Sequence, residues 1–223
     1  MEKQTKRFSL TTYRGGILIK HRRVPGVDLS KEVEALWEKN DRFLYHYHIE
    51  NELVTEIFER YPKNDNLNNV IKKVSLLDAF YSTNLRMNSS VLAMAEHIVN
   101  LSAEKNLDRL IEEGSPEAVS LIRDLDGCRF TSFASKYCCN SNRADAYWIY
   151  DSIVADAVYE FFRDNADKYG RGYTRKSLGD YPTYCIALDK YKEINNLIGS
   201  RREVDWYIWG NEKLKKKQEE NAR

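Results

Sequence analysis

Apolar residues recur at intervals of three and four along nearly all of this 223-residue chain, and that rhythm restricts the fold to packed amphipathic helices. Val33, Leu36, Trp37, Phe43, Leu44 and Tyr47 keep it after DLSKE, where Asp28 or Ser30 is expected to cap. Val54, Ile57, Phe58 and Tyr61 extend it in a second helix that must stop near Pro62. From Asn66 to about Thr83, Val70, Val74, Leu77 and Tyr81 stay in register, and Leu76 and Phe80 widen the face until the helix reads as central. Val91, Leu92, Ala95, Ile98 and Val99 form the next, with Asn88 or Ser89 as the expected cap. NLDRLIEEG stops at Gly114, and Pro116 opens a helix that runs to LDG at 125–127. Two helices are therefore expected to meet at a tight joint near Gly127.

Past that joint, Thr131 or Ser132 can cap a short helix carrying Phe133, Ala134 and Tyr137. Asp151 or Ser152 can cap another, with Ile153, Val154, Ala157, Val158, Phe161 and Phe162 on its apolar side. Tyr184, Leu188, Tyr191 and Ile198 mark a penultimate helix, and SRREVDWYIWG opens the last, which trails into a polar tail over 211–223. Only TTYRGGILIKHRRV, with a Gly-Gly turn between β-prone runs, reads as a hairpin. The expected fold is all-α or nearly so, in one two-lobed unit spanning 1–223, because no repeat or Pro/Gly linker divides it.

At 42% hydrophobic and 12% aromatic residues the chain can bury a substantial core. No stretch reaches the roughly 18–20 apolar residues of a membrane span, and MEKQTKRFSL lacks a signal peptide's apolar run. A cytoplasmic monomer is expected, nucleoid-associated if the source is a bacterium. Cys138 and Cys139 are adjacent while Cys128 and Cys185 stand alone, which fits neither a disulfide framework nor a zinc or iron–sulfur site. Reduced, mostly buried thiols are expected, with no metal or cofactor. The net charge of +1 hides a basic N-terminal arm over 1–27. Its first 23 residues set Lys3, Lys6, Arg7, Arg14, Lys20, Arg22 and Arg23 against Glu2 alone, a surplus of +6. A second basic stretch, KYGRGYTRK, covers 168–176. Either suits phosphate contact or plain solvation.

Two charges sit in unusual settings. Lys136 falls early in a helix, where the dipole disfavours a second positive charge, and among Phe133, Tyr137 and two cysteines, where burial disfavours the ammonium. A neutral amine is a nucleophile able to form a Schiff base; alternatively its stem covers the helix and its head reaches water. Asp151, in WIYDSIV, is either a plain N-cap or a rigidly aimed partner for a nearby cation.

The order of these pieces resembles the core of the helix-hairpin-helix DNA glycosylases. In that family a Leu-Pro-Gly-x-Gly-x-Lys stretch precedes an apolar-Asp-x-x-Val segment, and here LDGCRFTSFASKY and WIYDSIV take those places. The likeness covers roughly residues 70–163, and YSTN resembles the Ser-Ser-Asn turn of the cluster-free 8-oxoguanine branch. The hairpin's second glycine is missing, and Arg129, Phe130 and Thr131 lengthen the joint. The resemblance implies a protein that flips a damaged base from double-stranded DNA and excises it, with strand cleavage as an optional second step. It implies Lys136 as the amine attacking C1′ and Asp151 as the carboxylate facing the oxocarbenium-like charge. It also implies Asn84 in the base stack, phosphate contacts from Thr131, Ser132 and Arg129, and Tyr81, Trp148 and Trp209 as stacking surfaces. The rival reading is a helical nucleic-acid-binding or protein-interaction module without catalysis, in which Lys136 and Asp151 form a structural pair.

Overall fold

The computed structural model describes residues 13–14, 17–18, 26–39, 41–81, 83, 85–142, 144–170 and 172–222. After the short strands β1 (Tyr13–Arg14), β2 (Ile17–Leu18) and β3 (Val27–Asp28), the chain runs through α1 (Leu29–Lys39), α2 (Asp41–Arg60), α3 (Leu67–Tyr81), α4 (Leu85–Asn88), α5 (Val91–Lys105), α6 (Leu107–Glu112) and α7 (Pro116–Arg123). Strands β4 (Asp124–Leu125) and β5 (Cys128–Arg129) lead into α8 (Thr131–Ser141), α9 (Ser152–Asp164), α10 (Ala166–Tyr169), α11 (Arg175–Leu178) and α12 (Tyr181–Ile194). Strand β6 (Leu197–Ile198) and α13 (Arg201–Asn221) follow. The fold is all-α, with two-residue strands as its only sheet among the described residues.

The expected hairpin is present as β1 and β2, antiparallel with Tyr13 opposite Leu18; the remainder of the basic arm up to position 25 lies outside the described residues. Elsewhere local chemistry moves several boundaries. The first helix is described to Lys39 and the second from Asp41, so Leu44 and Tyr47 belong to α2 and not to α1. Ser90 caps α5 by accepting from the Ala93 amide, because Asn88 ends α4 and is not free to cap. Ser115 caps α7, with Pro116 in its first turn as expected.

The joint near Gly127 is a two-residue β-hairpin, and α7 stops at Arg123 rather than running to it. Asp126 and Gly127 take φ of 52° and 75°, the paired left-handed conformation of a tight hairpin turn. The sequence signature was the Asp-Gly dipeptide. Ile198 is also not helical: α12 ends at Ile194, left-handed Asn196 turns the chain, and Leu197 and Ile198 pair in parallel with Val27 and Asp28. The polar residues 211–221 form the second half of α13, whose start is fixed by a reciprocal Ser200–Glu203 capping box.

One contiguous core runs from Leu29 to Ile208. Helix α3 packs between α2 and α5, α8 lies on α7, α2 and α3, and α13 covers both α1 and α9. Lys73 is inside this core at 0% exposure, its Nζ donating to the Lys63 carbonyl and Asn64 Oδ1. Burial pulls its pKa down to about 8. All four cysteines are free; Cys138 is fully buried and the other three are half-buried.

Between α8 and α9, residues 146–150 form an extended strap whose backbone groups need partners from outside it. Tyrosines supply them: Tyr181 Oη donates to the Trp148 carbonyl at 2.7 Å and Tyr184 Oη to the Ile149 carbonyl at 2.9 Å. The Tyr150 amide donates to Ser135 Oγ at 2.9 Å, tying the strap to α8 one residue before Lys136. At the other end Gly114, at φ 71°, lies so close to the strap that an added Cβ would stand 2.6 Å from that of Ala146.

Candidate active site

The strap's anchoring delivers Asp151 to Lys136. Lys136 Nζ lies 3.6 Å from Asp151 Oδ2 and donates to Ser132 Oγ, one helical turn back, at 2.9 Å. The Asp151 carboxylate divides its work, since Oδ1 accepts from the Ile153 amide at 2.8 Å and caps α9 while Oδ2 faces the lysine. Lys136 is only 4% exposed. The two charges are in contact, closer than the width of a sugar, so a substrate must part them to lie between.

Both open onto a cavity of about 320 Å³, within the range of small-molecule sites. Tyr47, Glu50 and Asn51 of α2 and Phe80 and Tyr81 of α3 form one side, with Thr83 just beyond. Ser132 and Lys136 come from α8, residues 149–153 from the strap and the start of α9, and Asp205, Trp206, Trp209 and Lys213 from α13. The aromatic wall is ordered edge to face: Tyr47 and Trp209 meet at 4.8 Å and 83°, Trp206 and Trp209 at 5.8 Å and 88°. Lys213 Nζ lies 5.3 Å from the Trp209 ring centre, and Lys136 Nζ 5.6 Å from that of Tyr81. Tyr81 Oη donates to Asn51 Oδ1 at 2.7 Å, and burial first of all pushes its phenol up to about 12.

Of the residues expected from sequence, Lys136, Asp151, Ser132, Tyr81 and Trp209 are brought together here. Trp148 is not. It is 1% exposed in the core, with its indole N–H donated to Asp189 Oδ1 at 3.0 Å, and it is absent from the cavity lining that begins at the next residue, Ile149. Thr131 and Ser132 do not cap α8; Phe130 occupies that position without a side-chain bond, and Ser132 serves Lys136 instead. Thr131 opens α8 outside the cavity lining, and Arg129 is exposed on β5, paired with Asp124 at 3.6 Å. Asn84 lies outside the described residues, although on either side of it the Thr83 hydroxyl and the Leu85 amide both donate to Asp78 Oδ1. In the second basic stretch Arg175 is paired with Asp156 at 2.8 Å and Glu160 at 3.7 Å.

Asp205 was missed. It is 8% exposed, lines the cavity, and its Oδ1 has no hydrogen-bond partner. Burial, then the Asp151 carboxylate, push its pKa up to about 8 against the pull of Lys136 and Arg202. The readable signal was spacing: in EVDWYIWG, Asp205 shares one helical face with Ile208 and Trp209. Lys213 was missed because it stood in a run read as tail. Lys73, the other buried amine among the described residues, is excluded by position, since it contributes nothing to this cavity.

Helices closing on a buried amine paired with a carboxylate, beside an aromatic wall, define an all-α protein with one compact polar centre in that cavity. The chain belongs to the HI_0787_N family: residues 29–145 match that family's model, described as an N-terminal domain. No curated protein and no solved structure matches it. The matched stretch includes Lys136 and stops before Asp151, Asp205 and Trp209, so the cavity draws on both sides of its boundary. Among the described residues no helix is long and apolar enough to cross a membrane.

Proposed function

We propose that this protein is a DNA glycosylase that takes a flipped, damaged base into the cavity and attacks the sugar C1′ with the Lys136 amine. The observation that carries the reading is the 3.6 Å approach of Lys136 and Asp151 at one cavity wall, with the lysine 4% exposed. The aromatic wall offers faces to a planar base, and Lys213 adds a cation beside it. As the glycosidic bond breaks, positive charge grows on the sugar, and the Asp151 carboxylate, aimed by its cap, stabilises it. The first turn of α8, which has no side-chain cap, leaves amide N–H groups for a phosphate.

The test is borohydride trapping on duplexes carrying 8-oxoguanine, other damaged bases or an abasic site. A covalent protein–DNA adduct is expected with at least one of them, because only amine attack leaves a reducible Schiff base. A chain that binds these duplexes yet gives no adduct with any would be the non-catalytic binding module instead.

Aromatic substitutions separate wall from core. Trp209→Ala is expected to weaken binding of the damaged duplex by at least tenfold, with some fall in unfolding midpoint because its ring also packs against the core. Trp148→Phe is expected instead to cost about 1–2 kcal/mol in urea unfolding through the lost indole bond and packing, with excision unchanged.

A further inference from the structure

We propose that Asp205 is a second catalytic carboxyl group of this site, a proton carrier that serves the departing base and then the Lys136 nitrogen. The inference rests on the glycosylase reading above. Amine attack leaves two proton problems that Asp151 is badly placed to solve. The base departs more easily if a ring nitrogen is protonated, and the lysine nitrogen, once bonded to carbon, must shed a proton. Asp151 is committed, with one oxygen on the Ile153 amide and the other facing the lysine. Asp205 is uncommitted at Oδ1, sealed from solvent, and in the wall of the same cavity.

Its surroundings set its charge. Lys136 and Cys139 come from α8, Asp151 from the start of α9, Tyr81 from α3, Tyr184 from α12, and Arg202 from α13 itself. Two cations face one carboxylate and a set of neutral hydroxyl and thiol groups, and burial tips the balance toward the acid form.

The step balances as follows. Lys136 first gives one ammonium proton to water, and the lone pair this frees forms the bond to C1′ while the C1′–N bond breaks and its electron pair goes to the base. The Asp205 O–H bond breaks and that proton goes to the base nitrogen, leaving carboxylate. The new secondary ammonium then returns one of its two protons to Asp205, restoring the acid and a neutral amine on C1′.

Single-turnover excision is measured from pH 5.5 to 9.5 for the wild type and Asp205→Asn, alongside thermal unfolding over the same range. Asp205→Asn keeps the shape without the proton, so below about pH 8 it should be at least about 100-fold slower, the lower end for a lost general acid. Deprotonation of the nucleophile is common to both proteins, so the ratio of the wild-type rate to that of Asp205→Asn should fall as pH rises past about 8, where Asp205 loses its proton. Unfolding gives an independent reading. Folded Asp205 holds a proton that the unfolded chain releases above about pH 4, so the wild type should lose stability relative to Asp205→Asn as pH rises from about 4 to 8. A variant that keeps the wild-type rate across the range overturns the role of Asp205 while leaving the glycosylase reading intact. A wild type that forms no borohydride adduct overturns both.

Discussion

Lys136→Gln is expected to abolish borohydride trapping and base excision while leaving binding to the damaged duplex within a few-fold of wild type. Glutamine roughly preserves length and can still donate to Ser132, so the α8 backbone and the cavity wall should keep their places. What disappears is the amine in contact with Asp151, and without it no carbon–nitrogen bond to the sugar forms. Duplex affinity survives because phosphate contacts supply most of it. Gel-resolved trapping and fluorescence anisotropy on the same duplex check both halves. An adduct that persists in Lys136→Gln would move the chemistry to another amine, with Lys213 the one that also lines the cavity.

Asp151→Asn is expected to lower the single-turnover excision rate by about 10²–10³, the loss seen when a preorganised partner of transition-state charge is removed. Asparagine caps helices about as well as aspartate, so the start of α9 should hold. Folding stability should still fall, by no more than about 3 kcal/mol, because the Lys136 charge loses its partner in a largely buried place. Asp151→Ala separates the two jobs of the side chain, since it should match the asparagine variant in rate and lose a further ~1 kcal/mol from the missing cap. Urea unfolding beside excision kinetics measures both. Full activity in Asp151→Asn would reduce the aspartate to a cap.

The sequence carried the helices and the pair but not the enclosure. Lys136 and Asp151 stood out because each broke a local expectation, a cation early in a helix and a carboxylate behind bulky residues. Their meeting depends on Ser135 and on tyrosines of α12 some thirty residues downstream, and no local pattern announces a hydroxyl donated across such a distance. Trp148 was misassigned for a related reason: aromatic character says nothing about which side of an extended strap a residue faces until the strap's partners are known. Asp205 was legible in principle from its helical spacing but looked like one more charge in a helix rich in them. The hairpin at Asp126–Gly127 was hidden by reading its helical flanks too far inward.

The divided loyalty of Asp151 ties the breathing of α9 to the state of the pair. Were the first turn of α9 to fray, the oxygen on the Ile153 amide would be released and the carboxylate would no longer be held at a fixed angle to the lysine. Conversely, anything that draws the aspartate toward a bound cationic sugar pulls on that amide. Hydrogen exchange at the Ile153 backbone, silent about chemistry in most helices, becomes here a reporter of whether the site is cocked or engaged.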